Sequence, residues 1–410
     1  MSSTSALPVT MAVSRERQEF LPASLAEVAR LLPLSRWTSK LLEGRPVAGG
    51  SQASTMACIV DMRSDTVTKP TKAMKEVMVN AELGDDVFGD DPTVIELEKL
   101  CAEVFKKPAG LFVPSGTMSN LIGVMTHCSE RGSEVILGNQ NHLVIYEQGG
   151  MATVGGIHPR QLRTVTEAGE PTPIGGIALS EIEQAIRPLD DHFPVTRLVC
   201  LENSHNLCGG TALPLEYIDA VGQLCAQHKV KLHMDGARIF NAAAAVNQPV
   251  DRLCLACDSI SVCLSKGLAA PVGSVLLGDE EFIRKARRQR KALGGGMRQA
   301  GVLAACGIES LRTMTGRLHE DHARAITLAK ALADMPQVSV NLPSVQTNIV
   351  YFQLPRGGGK RVVEELAKRH VRITAKDDHT CRAVTHYEID DAGLQVAIAA
   401  LREVIQAVCT

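Results

Sequence analysis

Short apolar and period-two runs recur through the middle of the chain. Those at 109–113, 134–137, 196–201, 230–234 and 259–264 have the length and residue types of β-strands. Between them lie stretches with apolar residues every three or four positions. Residues 93–105 carry Val94, Leu97, Leu100 and Val104 on one face, 117–127 continue the pattern, and 238–246 are Ala-rich. Strands alternating with helices predict a doubly wound α/β domain whose sheet is largely parallel. A long helical region follows from about Gln299 to Met335, with a break expected inside it. The rhythm then changes to strand-like 338–342, 348–354, 371–375 and 382–387, with helices over 361–370 and after Asp390. The expected organisation is a leader over residues 1–55, a large domain over 56–310 and a small α+β domain over 311–410.

Composition narrows the function classes. The 43 basic and 45 acidic side chains nearly cancel, so the charge balance favours neither nucleic acid nor an anionic membrane as partner. No apolar run reads as a membrane span. The 12 cysteines are scattered through expected core elements rather than forming a small disulfide framework, which predicts reduced thiols and an intracellular compartment. Cys254 and Cys257 have half the spacing of a zinc site, but no second pair follows, so no metal is expected. The leader suggests disorder or a mitochondrial presequence, and Glu16, Glu19, Glu27 and Glu43 are unusually acidic for the latter. The compartment is therefore expected to be cytoplasmic, with mitochondria as the alternative.

The candidate chemistry sits where strands end. The runs at 230–234 and 259–264, joined by one helix, form a crossover whose strands would lie parallel, placing Asp235 and Lys266 at the same carboxyl edge. A lysine able to form a Schiff base and an acid able to keep a pyridine nitrogen protonated suit pyridoxal 5'-phosphate. Ser115, Gly116 and Thr117 follow another strand and open a helix, where backbone N–H groups would either cup a phosphate or simply be capped. His142 precedes a glycine-ended helical segment and could stack on the cofactor ring or be an exposed turn residue. His205 also follows an apolar strand. Arg298 beside Gly294 to Gly296 suits a phosphate, and the fork of Arg382 suits a carboxylate.

In order, Met62-Arg-Ser-Asp-Thr-Val-Thr68, Gly84-Asp-Asp-Val-Phe-Gly-Asp-Asp-Pro-Thr93, Pro114-Ser-Gly-Thr-Met-Ser-Asn120, Glu202-Asn-Ser-His-Asn206, His233-Met-Asp-Gly-Ala-Arg238, Leu264-Ser-Lys-Gly267, Gly294-Gly-Gly-Met-Arg-Gln299 and Arg382-Ala-Val-Thr-His386 resemble low-specificity L-threonine aldolases. The resemblance runs from about Ile59 to the C-terminus. It implies a fold-type-I, PLP-dependent transferase-like large domain and a small C-terminal domain, cleaving β-hydroxy-α-amino acids to glycine and an aldehyde. It further implies Lys266 as the Schiff-base lysine, Asp235 on the pyridine nitrogen and His142 on the ring face. Ser64, Arg238 and Arg382 would take the substrate carboxylate, and His205 the hydroxyl. Lys291 and Arg298 would reach a neighbouring subunit's phosphate in a homo-oligomer, a dimer of dimers. Phe88 in place of the usual tyrosine, Thr211 in place of a basic residue, and the 377–382 segment depart from the family pattern. A β-eliminating lyase, an aminotransferase or an inactive scaffold of the same fold are the alternatives.

Overall fold

The computed structural model describes residues 59–409; the leader lies outside the described residues. At its centre is a seven-stranded sheet. Its strands are β2 (Ala109–Val113), β3 (Ser133–Gly138), β4 (His158–Leu162), β5 (Val195–Glu202), β6 (Lys231–Gly236), β7 (Ser259–Cys263) and β8 (Ser274–Gly278), in the order β2-β8-β7-β6-β5-β3-β4. All neighbours are parallel except those of β8, which runs against both β7 and β2. Two reversals restore direction, so β2 again points the same way as β7. Five functional segments therefore emerge at one edge.

The period-two pattern in β6 and β7 has a different cause from the one the sequence suggests. These strands are buried almost throughout, as central parallel strands covered by helices on both faces are. Their alternate polar residues do not face water. His233, Ser259 and Ser261 are all fully buried, and His233 Nδ1 lies 2.8 Å from Ser259 Oγ.

Local chemistry fixes the element ends. Asp91 caps helix Pro92–Phe105, accepting from the N–H groups of Thr93 and Val94, with proline at the first turn, where no N–H is needed. Helix Gly116–His127 starts at Ser115, whose hydroxyl accepts from the Met118 N–H. The expected long helical region is two helices, Gly301–Thr313 and Leu318–Ala333, broken at Thr315–Arg317.

The C-terminal layer holds a three-stranded antiparallel sheet of β9 (Ile349–Gln353), β11 (Thr374–Ala375) and β12 (Thr380–Val384). Residues 338–342 do not form the strand expected there; only Ser339 makes an isolated bridge, to Gln353. The first described strand, β1 (Val60–Asp61), pairs in parallel with β10 (Val371–Arg372). Val60 and Met62 thus join the C-terminal core, although their place in the sequence assigns them to the large domain. Leu318 belongs to the large core, while Ala325 and Leu328 of the same helix belong to the small one. The last helix, Asp391–Cys409, is long and apolar enough to span a membrane, contrary to the sequence expectation. Its Leu394, Ala397, Leu401 and Ile405 pack in the C-terminal core, which accounts for its hydrophobicity.

Candidate active site

A cavity of about 480 Å³ opens at the carboxyl edge of the sheet, walled by Ser64, His142, Asn206, Arg238, Lys266, Tyr351, Lys376 and Arg382 among others. Lys266 follows β7 by three residues, and its carbonyl accepts from Thr68 Oγ1 at 3.1 Å, which ties its loop to the N-terminal segment. Asp235 lies on the adjacent strand, 1% exposed. Its Oδ1 accepts from the Ala237 N–H at 3.1 Å and its Oδ2 from Asn120 Nδ2 at 3.0 Å. Asp235 stands in register with Ser261 of β7, the strand that Lys266 follows, so the two residues lie at the same end of adjacent parallel strands.

His142 Nδ1 is 2.8 Å from Glu147 Oε1, and its backbone N–H donates to Glu202 Oε2 at 2.7 Å. Burial pulls the ring's pKa down, but the hydrogen bond to Glu147 and the Asp235 and Glu147 charges hold it above its ordinary value. The other Glu202 oxygen accepts from the Asn206 N–H at 2.8 Å. One carboxylate at the end of β5 therefore sets both loops that line this side.

Three basic groups line the cavity besides Lys266 and the imidazole. Arg238 makes a two-pronged pair with buried Asp65, at 2.8 and 2.7 Å. Arg382 donates to Asn206 Oδ1 and to the Arg63 carbonyl, both at 3.0 Å, and its Nε has no partner among the described residues. Lys376 also lines the cavity, as does Tyr351.

The residues fit pyridoxal phosphate. Lys266 supplies an amine in the wall, Asp235 a buried acid, and one polar atom from each of His142, Glu147 and Asp235 lies within 4.8 Å of the others. At the helix start a Cβ on Gly116 would come within 2.6 Å of Cys263 Sγ, so only glycine leaves the turn open for close approach.

Of the residues singled out from sequence, Ser64, His142, Arg238, Lys266 and Arg382 share the cavity wall. Asp235 is not part of that lining, and Ser115 to Thr117 follow β2, which is separated from β7 by β8. His205 is fully buried, 4.0 Å from Glu202, outside the cavity lining; both its ring nitrogens lack partners among the described residues. Lys291 and Arg298 are exposed and also off the wall, and Arg298 pairs with Asp85 at 3.0 Å. Phe88 is 81% exposed, with the Arg298 guanidinium 6.0 Å from its ring centre. Thr211 is buried and bridges His205 through the backbone. The sequence reading missed Tyr146, Tyr351, Lys376 and the pair Asn120 and Glu147. Only four tyrosines occur in the chain, and two of them line the cavity, which was a usable signal.

The central sheet and its order give the fold of the large domain of fold-type-I pyridoxal-phosphate enzymes. The β-eliminating lyase family profile matches residues 61–355. A probable low-specificity L-threonine aldolase 2 of Arabidopsis thaliana is 47% identical over 350 residues, 84% of this chain and 97% of that one. The low specificity L-threonine aldolase of Escherichia coli K12 is 40% identical over 331 residues, 81% and 95% of the two chains. The threonine aldolase structure from Leishmania major superposes with TM-score 0.71 at 17% identity, covering 84% of this chain and 99% of that one. The chain belongs to the low-specificity L-threonine aldolase family.

Proposed function

We propose that this chain cleaves L-threonine and L-allo-threonine to glycine and acetaldehyde by a retro-aldol reaction, using pyridoxal 5'-phosphate. The observation that carries the reading is that Lys266, Ser64, Arg238 and Arg382 line one cavity, with Asp235 at the same end of the strand beside the one that Lys266 follows. Lys266 would hold the cofactor covalently, Asp235 its pyridine nitrogen, His142 its ring face, and Ser115, Gly116 and Thr117 its phosphate. When bound, the cofactor supplies an electron sink for the pair released as the Cα–Cβ bond breaks. Arg382, with Nε unpaired, and Arg238, already oriented by Asp65, grip the substrate carboxylate and fix the direction of that bond. His142 lies on the wall, and it takes the hydroxyl proton more directly than His205, which is fully buried and outside the cavity lining. Cα then gains a proton, so the atoms of threonine are all accounted for in glycine and acetaldehyde.

The assembly is a homo-oligomer, a dimer of dimers, in which Lys291 and Arg298 serve a neighbouring subunit's site. Their position on the surface, away from their own cavity, supports this reading. Replacing Lys266→Ala should abolish acetaldehyde release from threonine and the visible absorption of the bound cofactor. Substantial residual turnover by purified K266A protein would refute the assignment.

A further inference from the structure

From Asp235 a line of polar side chains runs through Asn120, His233, Ser259 and His127, four residues that the reaction above does not use. Asn120, on the second turn of helix Gly116–His127, is 2% exposed. Its Nδ2 lies 2.9 Å from Glu147 Oε1 and 3.0 Å from Asp235 Oδ2, and its Oδ1 lies 3.2 Å from His233 Nε2. His233 Nδ1 is 2.8 Å from Ser259 Oγ, which is 2.8 Å from His127 Nε2.

The donors and acceptors allow one direction. Ionised carboxylates only accept, so the Asn120 amide must turn both N–H bonds toward Glu147 and Asp235. Its carbonyl then accepts from His233 Nε2–H. Burial pulls the His233 pKa down to about 4 and the His127 pKa to about 3, so both rings are neutral. Neutral His233 accepts at Nδ1 from the Ser259 hydroxyl, and the Ser259 oxygen accepts from His127 Nε2–H. With the amide so fixed, Glu147 Oε1 is left to accept from one further group, the Nδ1–H of His142.

We propose that Glu147 and Asn120 are positioning residues of the cleavage reaction. Glu147 holds a proton on Nδ1 of His142 and so leaves Nε2 as the atom that exchanges the substrate hydroxyl proton, while Asn120 locks Glu147 to Asp235. The inference rests on the assignment of proton transfer to His142. The groups acting on His142 are Glu147 from its own loop, Asp235 from β6, Lys266 after β7, and Glu202 from β5 through the backbone N–H. Burial and the Asp235 charge push the Glu147 carboxyl up while Glu147 and Asp235 hold the His142 ring up. Both shifts keep a proton inside the same hydrogen bond.

The test uses the cofactor-loaded full chain with Glu147→Gln, which keeps the shape and removes the charge, and Glu147→Asp, which keeps the charge. In E147Q, kcat for threonine cleavage should fall roughly 10–100-fold with KM little changed. The acid limb of the kcat/KM profile should move to lower pH, and E147D should restore its position. Imidazole nitrogen shifts of His142, assigned by their loss in His142→Gln, should show Nδ1–H in the parent and a lower ring pKa in E147Q whether or not threonine is cleaved. Asn120→Ala combined with E147Q should lose little more than the worse single variant, because the two act through one joint. An unmoved His142 titration in E147Q, or a rate loss with the acid limb in place, would overturn the proposal. Absence of threonine cleavage by the parent chain would instead overturn the proposed function, leaving the nitrogen-shift result to stand by itself.

Discussion

The Arg238–Asp65 pair shows how much one residue's surroundings decide. Arg238 was legible in the sequence as the last residue of a motif, and a fork beside a strand end is a natural carboxylate ligand. Asp65 looked like part of an extended entry and carried no such signal, because its partner lies 173 positions away. Burial would raise the Asp65 carboxyl, but Arg238, Lys266 and the Asn348 amide overcome it and hold it well below its ordinary value of 3.8. The stabilisation this gives is present above that ordinary value and is lost as acid drives the pH down through the folded one. Asp65→Asn leaves an uncompensated guanidinium in a dry site, which costs about 3–5 kcal/mol. The expected result is a lower denaturant midpoint for the full chain at pH 7.5, together with a raised KM for threonine as Arg238 loses its orientation. A midpoint equal to the parent's would remove the pair from the list of structural determinants.

Element ends carry a second kind of information. Residues 84–92 read as an acidic, turn-rich loop and the helix as starting at Thr93, so Asp91 and Pro92 were not recognised as its cap and first turn. The sequence could not show that Asp91 also holds a distant helix. Its Oδ2 accepts from the Gly301 N–H at 3.0 Å and the Gly84 N–H at 3.3 Å, while Oδ1 serves the cap. A Cβ on Gly301 would lie 2.6 Å from Asp91 Oδ1, so the contact needs glycine there. Asp91→Ala should therefore cost more than a cap alone: about 1 kcal/mol for the cap, and more for stranding the buried Gly301 N–H, roughly 3 kcal/mol in all. Asp91→Asn, which keeps an acceptor, should recover part of the loss, and thermal melts of the two variants would check the order. The same limit explains what was readable elsewhere. The strands at 109–113, 134–137, 196–201, 230–234 and 259–264 follow from local periodicity, whereas strand His158–Leu162 and helix Leu215–Gln227 in the same span were not read. The apolar alternation at 338–342 misled because nothing pairs with most of it, and β1 was misplaced because parallel pairing with β10 is set by tertiary contact rather than by spacing.

At the scale of the whole molecule, the buried polar line ties stability to pH. His127 and His233 are neutral in the fold, with His127 stacked 4.4 Å from the Phe282 ring, and a third buried ring, His322, is pulled down by burial to about 4. Their ordinary value is 6.5. Above it neither folded nor unfolded chain binds these protons and the rings contribute no pH dependence. As the pH falls below it, the unfolded chain takes up protons that the fold refuses until about pH 4 for His233 and about pH 3 for His127, so stability drops with each. Asp321 opposes this, since burial pushes its carboxyl up to about 6 and the fold accepts that proton first. Burial pushes the Glu98 and Glu147 carboxyls up as well, in the same sense as Asp321, so the contribution of a ring is read as the difference between parent and variant. Replacing His127→Gln keeps an N–H for Ser259 but removes one titrating group, so the slope of unfolding free energy against pH should become shallower by up to about 1.4 kcal/mol per unit. Urea unfolding at pH 7.5, 6.0 and 5.0 would measure it. Identical slopes for parent and variant would mean that the His127 ring meets its proton in the fold as easily as in water, and the neutral, one-directional hydrogen-bond line from His127 to Asp235 would have to be abandoned.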